Sequence, residues 1–193
     1  TPIPRFFVRS HFYIPNIETS KWQLSIEGLV EKPFQLTLAE LSRLPQLERV
    51  VTMECAGNGR SFFRPRMPGI QWRKGAVGTA RWKGVRLKDL LDRAVLKPGA
   101  KHLACDGADT GTATAPDFIR SITVAKALHP DTLLATHMNG VPLPIEHGFP
   151  LRLITPGWEG AASVKWLTRI TAIPDEFDGF FMKTAYRYPT RPV

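Results

Sequence analysis

Glu48-Arg49-Val50-Val51-Thr52-Met53-Glu54-Cys55-Ala56-Gly57-Asn58-Gly59-Arg60 is a strand running into a turn, and its reading sets the reading of the whole chain. The β-branched run before Cys55 favours an extended backbone, and the glycines after it favour a turn. Cys55 is therefore expected where a strand ends and a loop begins, the place where scaffolds display reactive groups. Glycines let the backbone approach a bulky partner, and a neighbouring cation such as Arg60 favours the thiolate form of a cysteine. A thiol so placed suits a metal ligand or a nucleophile. The alternative, a small apolar cysteine packed in a core, remains open at this point.

The remaining residues outline the scaffold around that loop. Seventeen prolines and 15 glycines cut the 193-residue chain into short elements, which excludes a helical bundle and predicts a loop-rich α+β domain. With 43% hydrophobic residues the chain can bury one core and does not demand two. Alternation predicts a strand over 22–28. Residues 36–44 read as a helix capped by Thr37, with Glu40 in the capping-box position, and stopped by Pro45. Apolar spacing predicts a second helix over 85–95 and a third over 122–128. Further strands are expected at 102–105, 132–136, 151–155 and 166–173. No internal repeat or low-complexity segment interrupts this order.

Charge and cysteine usage narrow the function. The formal net charge is +9, which would suit phosphate neutralisation. The cations are scattered, however, and no helix-turn-helix, zinc-finger or RNA-binding signature accompanies them, so no nucleic-acid partner is expected. A pocket for anionic ligands accounts for the excess as well. Only Cys55 and Cys105 are present, so there is no disulfide framework, and no Cys-x-x-Cys-His offers haem attachment. Cys105 lies in the apolar run His102-Leu103-Ala104-Cys105 and is expected inside a buried strand. No run approaches the ~18 consecutive apolar residues of a membrane span, and no signal peptide is read. The start at Thr1 rather than Met is taken to mark a processed or trimmed product.

The Cys55 loop resembles that of the sulfite oxidase family of molybdenum enzymes, where a Cys-Ala-Gly-Asn-(Arg/Gly)-Arg loop carries the metal-binding thiolate. Three further blocks stand in the family's order. Phe7-Val8-Arg9-Ser10-His11 is similar to its Phe-x-Arg-Asn-His segment, and Gly75-Ala76-Val77-Gly78 with Ala80-Arg81-Trp82-Lys83-Gly84-Val85 to its Gly-x-Gly-x-Ala-x-Trp-x-Gly segment. Asn139 through Arg152 is similar to Asn-Gly-x-x-Leu-Pro-x-x-His-Gly-Phe-Pro-x-Arg, followed by Pro156-Gly157 and Val164-Lys165-Trp166-Leu167. The resemblance covers nearly the whole chain.

The resemblance implies a mixed-sheet molybdopterin-binding domain over 1–185, then a Pro-rich exit over 186–193 towards an absent immunoglobulin-like dimerisation domain. It implies the molybdenum cofactor, with Cys55 as metal ligand. Phe7, Val8, Arg9, Ser10, His11, Asp109, His147, Arg152 and Lys165 would contact the pterin or its phosphate, with Ser163 and Val164 acting through the backbone. A phosphate calls for cations and backbone donors, and a carboxylate such as Asp109 accepts from pterin N–H groups. Arg60 and Arg9 would meet the substrate anion. Tyr186 follows Lys165 by 21 residues, the family's offset for its active-site tyrosine. Each residue has a structural competitor: His147 could close a turn, Arg152 pair on a strand, Asp109 cap the Thr110-Gly111-Thr112 turn, and Tyr186 pack under Pro189. His102, His129 and His137 match nothing and are expected to be structural or at the surface.

The implied activity is oxygen-atom transfer that oxidises sulfite, or a related sulfur oxyanion, to sulfate. Electrons would pass to an external acceptor, a separate c-type cytochrome, and the compartment would be periplasmic. Gly59 and Ser10 depart from the animal and plant pattern towards bacterial sulfite dehydrogenases and the sulfane dehydrogenase subunit. Action on carrier-bound sulfane sulfur therefore stays open, as does a non-catalytic molybdopterin-binding domain. Assimilatory nitrate reductase shares the fold and runs the oxygen transfer in reverse. A full-length form would dimerise.

Overall fold

A computed structural model describes residues 1–112 and 115–187, which build two five-stranded sheets. In chain order the strands are β1 (Gln23–Gly28), β2 (Phe34–Thr37), β3 (Leu47–Glu54), β4 (Val77–Arg86), β5 (His102–Gly107), β6 (Arg120–Thr123), β7 (Leu133–Met138), β8 (Val141–Pro142), β9 (Arg152–Ile154) and β10 (Leu167–Ile173). Four short helices, α1 (Leu38–Arg43), α2 (Leu87–Ala94), α3 (Val124–Ala127) and α4 (Phe180–Lys183), fill the connections. The architecture is α+β.

The first sheet runs β2-β1-β10-β5-β6. It is mixed, because β1 and β10 pair in parallel while its other neighbours are antiparallel. The second sheet is antiparallel, β3-β4-β7-β8, with β9 also pairing β7. Two hydrophobic clusters form the interior, and the larger joins both sheets through Val85, Leu134 and Leu153 of the second. In it, Leu24, Ile26, Leu103 and Ile170 of the first sheet pack with Leu87, Leu90 and Leu91 of α2. Phe6, Met53, Trp82, Leu133 and Ile154 form the smaller cluster. Burying such side chains stabilises by roughly 1.5–3 kcal/mol each relative to exposure.

Local chemistry sets the element ends. The Glu40 amide donates to Thr37 Oγ1 and the Thr37 amide to Glu40 Oε2, the reciprocal capping box expected for α1. The helices are shorter than their apolar spacing predicts: 36–37, 85–86 and 122–123 belong to β2, β4 and β6, whose pairing claims those backbone groups. The strand expectations hold to within two residues, the largest differences being that β5 continues to Gly107 and β7 to Met138. Residues 188–193 of the expected exit lie outside the described residues. Tyr186, at the head of that stretch, packs into the domain.

Candidate active site

β3 delivers Cys55 to the end of the second sheet, as its sequence predicts. The Cys55 amide donates to the Ala76 carbonyl at 2.9 Å, and the Asn58 amide returns to the Cys55 carbonyl at 2.8 Å. Asn58 then locks the loop: its Oδ1 accepts from the Ala76 amide and its Nδ2 donates to Glu54. The sulfur of Cys55 accepts from the Gly57 amide at 3.4 Å and is otherwise open to a cleft. No donor other than backbone competes for it in these contacts, so the thiol is presented rather than packed.

The cleft has a cavity volume of about 60 Å³ and opens to solvent. Phe7, Val8, Arg9, Ser10 and His11 line it from the N-terminal segment, Asp109 from the end of β5, Arg152 from β9, and Ser163, Val164 and Lys165 from the turn before β10. Tyr186 and Cys55 line it as well. The turn holding Gly148 makes this closure possible. Its φ is +110°, and a Cβ there would lie 3.0–3.1 Å from the Lys165 side chain and backbone, so only glycine lets the 148 and 165 segments meet.

Burial tunes the charges. Lys165 donates to Ser10 Oγ at 2.6 Å and to the Glu146 carbonyl at 3.0 Å. Burial first, and the nearby Arg152 second, push its pKa down to about 7. Burial pushes Asp109 up to about 7, against the pull of Lys165. Arg152 is fully buried and donates to the His147 and Ser163 carbonyls and to the Met53 sulfur. Burial lowers its pKa to about 9, which leaves it charged at neutral pH with no carboxylate bonded to it among the described residues. An unpaired buried cation calls for an anion.

Tyr186, His11 and Arg9 form a relay of contacts. The Tyr186 hydroxyl lies 2.8 Å from His11 Nε2, and Arg9 Nη2 lies 3.1 Å from His11 Nδ1. Burial, reinforced by Arg9 and Arg120, lowers the His11 pKa to about 4, so the ring is neutral at pH 7. A guanidinium can only donate, so Nδ1 accepts and the ring proton sits on Nε2. That proton goes to the Tyr186 oxygen. The phenolic O–H, kept protonated because burial raises its pKa, is then free to donate to a molecule in the cleft.

Two expected residues stand elsewhere. Arg60 lays its guanidinium along the Gly57 and Gly69 backbone and donates to the Ile70 carbonyl at 3.2 Å, so it braces the loop rather than lining the cleft. His147 is buried against the Phe6 ring, and its backbone, not its imidazole, meets Arg152. Burial lowers its pKa to about 4, and its Nδ1 has no hydrogen-bond partner among the described residues. Phe118, Glu146, Gly160, Ala161 and Trp166 also line the cleft and carry no sequence signal beyond their motif neighbours. Of the unmatched histidines, His102 and His137 are half-buried strand residues, and His129 accepts from the Asp131 amide. Cys105 is fully buried, as expected, with its pKa pushed up to about 12.

Comparison with known proteins bears directly on this cleft. The family model for the oxidoreductase molybdopterin binding domain matches residues 11–181. The chain belongs to this family. As a molybdopterin-binding domain it is 40% identical to the sulfite oxidase of Gallus gallus over 195 residues, covering 97% of this chain and 42% of that protein. It is 35% identical to the sulfite oxidase of Arabidopsis thaliana, covering 97% of this chain and 51% of that protein, and 37% identical to the nitrate reductase [NAD(P)H] of Hordeum vulgare. The crystal structure of the sulfane dehydrogenase SoxCD from Paracoccus pantotrophus superposes with a TM-score of 0.82 at 34% identity, over 93% of this chain and 45% of that one. The domain thus spans about half or less of the length of these relatives.

The residues present fit a molybdenum cofactor. Among the described residues no cluster of three or more His, Cys, Asp or Glu side chains could hold a metal, and a metal held at Cys55 would need further ligands from the cofactor. Soft sulfur ligation suits a thiolate. Arg152, buried with no carboxylate bonded to it among the described residues, and the half-buried Lys165 suit a phosphate.

Proposed function

We propose that this chain is the molybdopterin-binding part of an enzyme that oxidises sulfite, or a related sulfur oxyanion, to sulfate and passes electrons to an external acceptor. The convergence of Cys55, Arg9, His11, Asp109, Arg152, Lys165 and Tyr186 on one cleft supports this reading. When bound, the cofactor would supply two-electron oxygen-atom transfer. Cys55 would hold its metal and Asp109 would accept from pterin N–H groups. Arg152 and Lys165, with the Val164 backbone, would hold the phosphate, while the Ser163 amide is taken by the Gly160 carbonyl. A phosphate beside Lys165 would restore the charge that burial weakens. Arg9 would meet the incoming anion at the mouth, where a fixed cation stabilises negative charge without reorganisation. Tyr186 would donate its free O–H to substrate or product, with His11 holding the phenol in place.

A second reading, action on a sulfane sulfur, is favoured by the likeness to the SoxCD chain. A c-type cytochrome acceptor, a periplasmic setting and a homodimer of the longer protein belong to the same proposal. No helix among the described residues is long and apolar enough to cross a membrane. Steady-state reduction of ferricyanide by molybdenum-loaded protein tests the choice. Sulfite-dependent turnover is expected. Full molybdenum content with turnover only on a sulfane donor would replace the first reading by the second.

A further inference from the structure

Next to the cleft, outside the groups assigned above, lies an ion pair of a buried Arg120 and a half-buried Glu159. We propose that Arg120 and Glu159 are a positioning pair for Tyr186: their salt bridge fixes a guanidinium against the phenol ring and so aims the hydroxyl at His11 and the cleft. The proposal rests on the reading of Tyr186 as a group that meets the substrate.

Tyr186 needs such a device. It follows α4 in a left-handed conformation, φ +59°, outside any helix or strand, so regular backbone pairing does not aim its side chain. Its ring is met edge-on by His11 and Phe118 and is faced by Arg120, whose guanidinium carbon lies 4.9 Å from the ring centroid. Arg120 is anchored in turn. From β6 it donates to Glu159 at 2.7 Å and to the Phe181 carbonyl of α4. The side chains are 8% and 24% exposed, so water does little to hold either in place.

A planar guanidinium can face an aromatic ring and grip a carboxylate at the same time, which an ammonium does less well. Glu159 balances the buried charge, so the ring gains a flat support without adding a net cation to the cleft. The charged and titratable groups around the phenol are Arg9 and His11 from the N-terminal segment, Cys55 from its loop, Arg120 from β6 and Glu159 from the turn that continues into Gly160 and Ala161. A pair kept only for stability has no need to face this ring, since well-packed apolar residues often stabilise a buried site as well.

The chain has 3 tyrosines, so tyrosine labelled with carbon-13 at Cζ gives a spectrum in which Tyr186→Phe identifies one resonance. The test uses molybdenum-loaded protein carrying Arg120→Met with Glu159→Leu, which removes both charges while keeping the volume filled. The Tyr186 resonance should move while Tyr13 stays. Turnover should fall about tenfold with KM within about twofold and molybdenum content unchanged. Adding Tyr186→Phe should cause no further loss, because coupled residues do not give additive effects. Arg120→Lys should fall between wild type and the double variant. An unmoved Tyr186 resonance, or losses that multiply when Tyr186→Phe is added, would overturn the proposal. Should Tyr186→Phe alone leave turnover intact, the functional reading of Tyr186 fails, while the resonance still decides the positioning.

Discussion

Replacing Arg152 by methionine separates a cofactor ligand from a structural cation. Burial lowers its pKa from 12.5 to about 9, and at about 1.36 kcal/mol per unit the fold bears roughly 5 kcal/mol to keep this charge. Against that stand the bonds to the His147 and Ser163 carbonyls, at 3.1 and 3.2 Å, each worth roughly 1.5–3 kcal/mol for a charged donor. The two sums nearly cancel. In cofactor-free protein Arg152→Met should therefore shift urea unfolding by no more than about 2 kcal/mol, well short of the roughly 3–5 kcal/mol typical of breaking a buried pair. With cofactor the balance changes, because a phosphate turns the buried charge from a cost into a charge-assisted contact. Cofactor retained through gel filtration, read as molybdenum and pterin per chain, should then drop at least about tenfold, a loss of ~1.4 kcal/mol or more. A loss above about 4 kcal/mol in the cofactor-free protein, together with cofactor held as firmly as in wild type, would refute the reasoning.

Two further outcomes follow from the same contacts. The folded-state pKa of Asp109 is raised from 3.8 to about 7, so its contribution to stability is present below pH 3.8 and is lost as pH rises to about 7. Asp109→Asn should accordingly raise the melting temperature of cofactor-free protein more at pH 8 than at pH 4, as calorimetry can check; an equal change at both would contradict it. Thr37→Ala removes the α1 capping box and should cost about 1 kcal/mol in urea unfolding, leaving cofactor content untouched.

How much of this was legible beforehand depends on the range of the interaction involved. The Thr37–Glu40 cap is local, and the sequence names both partners. The strand carrying Cys55 is local too, since the β-branched run and the glycines adjoin. β4 was harder to see. Its burial alternates as far as Gly84 near its end, where a Cβ would fall 1.9 Å from the Leu134 carbonyl, and glycine ordinarily argues against a strand. The helices were overextended because strand pairing took their first residues, a tertiary effect that periodicity does not register. At the site, motif order named most of the cleft lining. The resting place of Arg60 is not legible that way, because position along a loop does not fix where a long side chain lies, and this one meets the Ile70 carbonyl. Arg120 and Glu159 are 39 residues apart in sequence and belong to no motif, so only the folded chain joins them.

The central claim is that Cys55 is the protein's ligand to a pterin-bound molybdenum, and X-ray absorption at the molybdenum edge tests it most directly. The account predicts one molybdenum per chain with a shell of three sulfurs, two from the pterin dithiolene and one from Cys55. Cys55→Ser should remove one sulfur, whereas Cys105→Ser, altering a fully buried thiol away from the cleft, should keep all three. The same sulfur count in wild type and Cys55→Ser would contradict it.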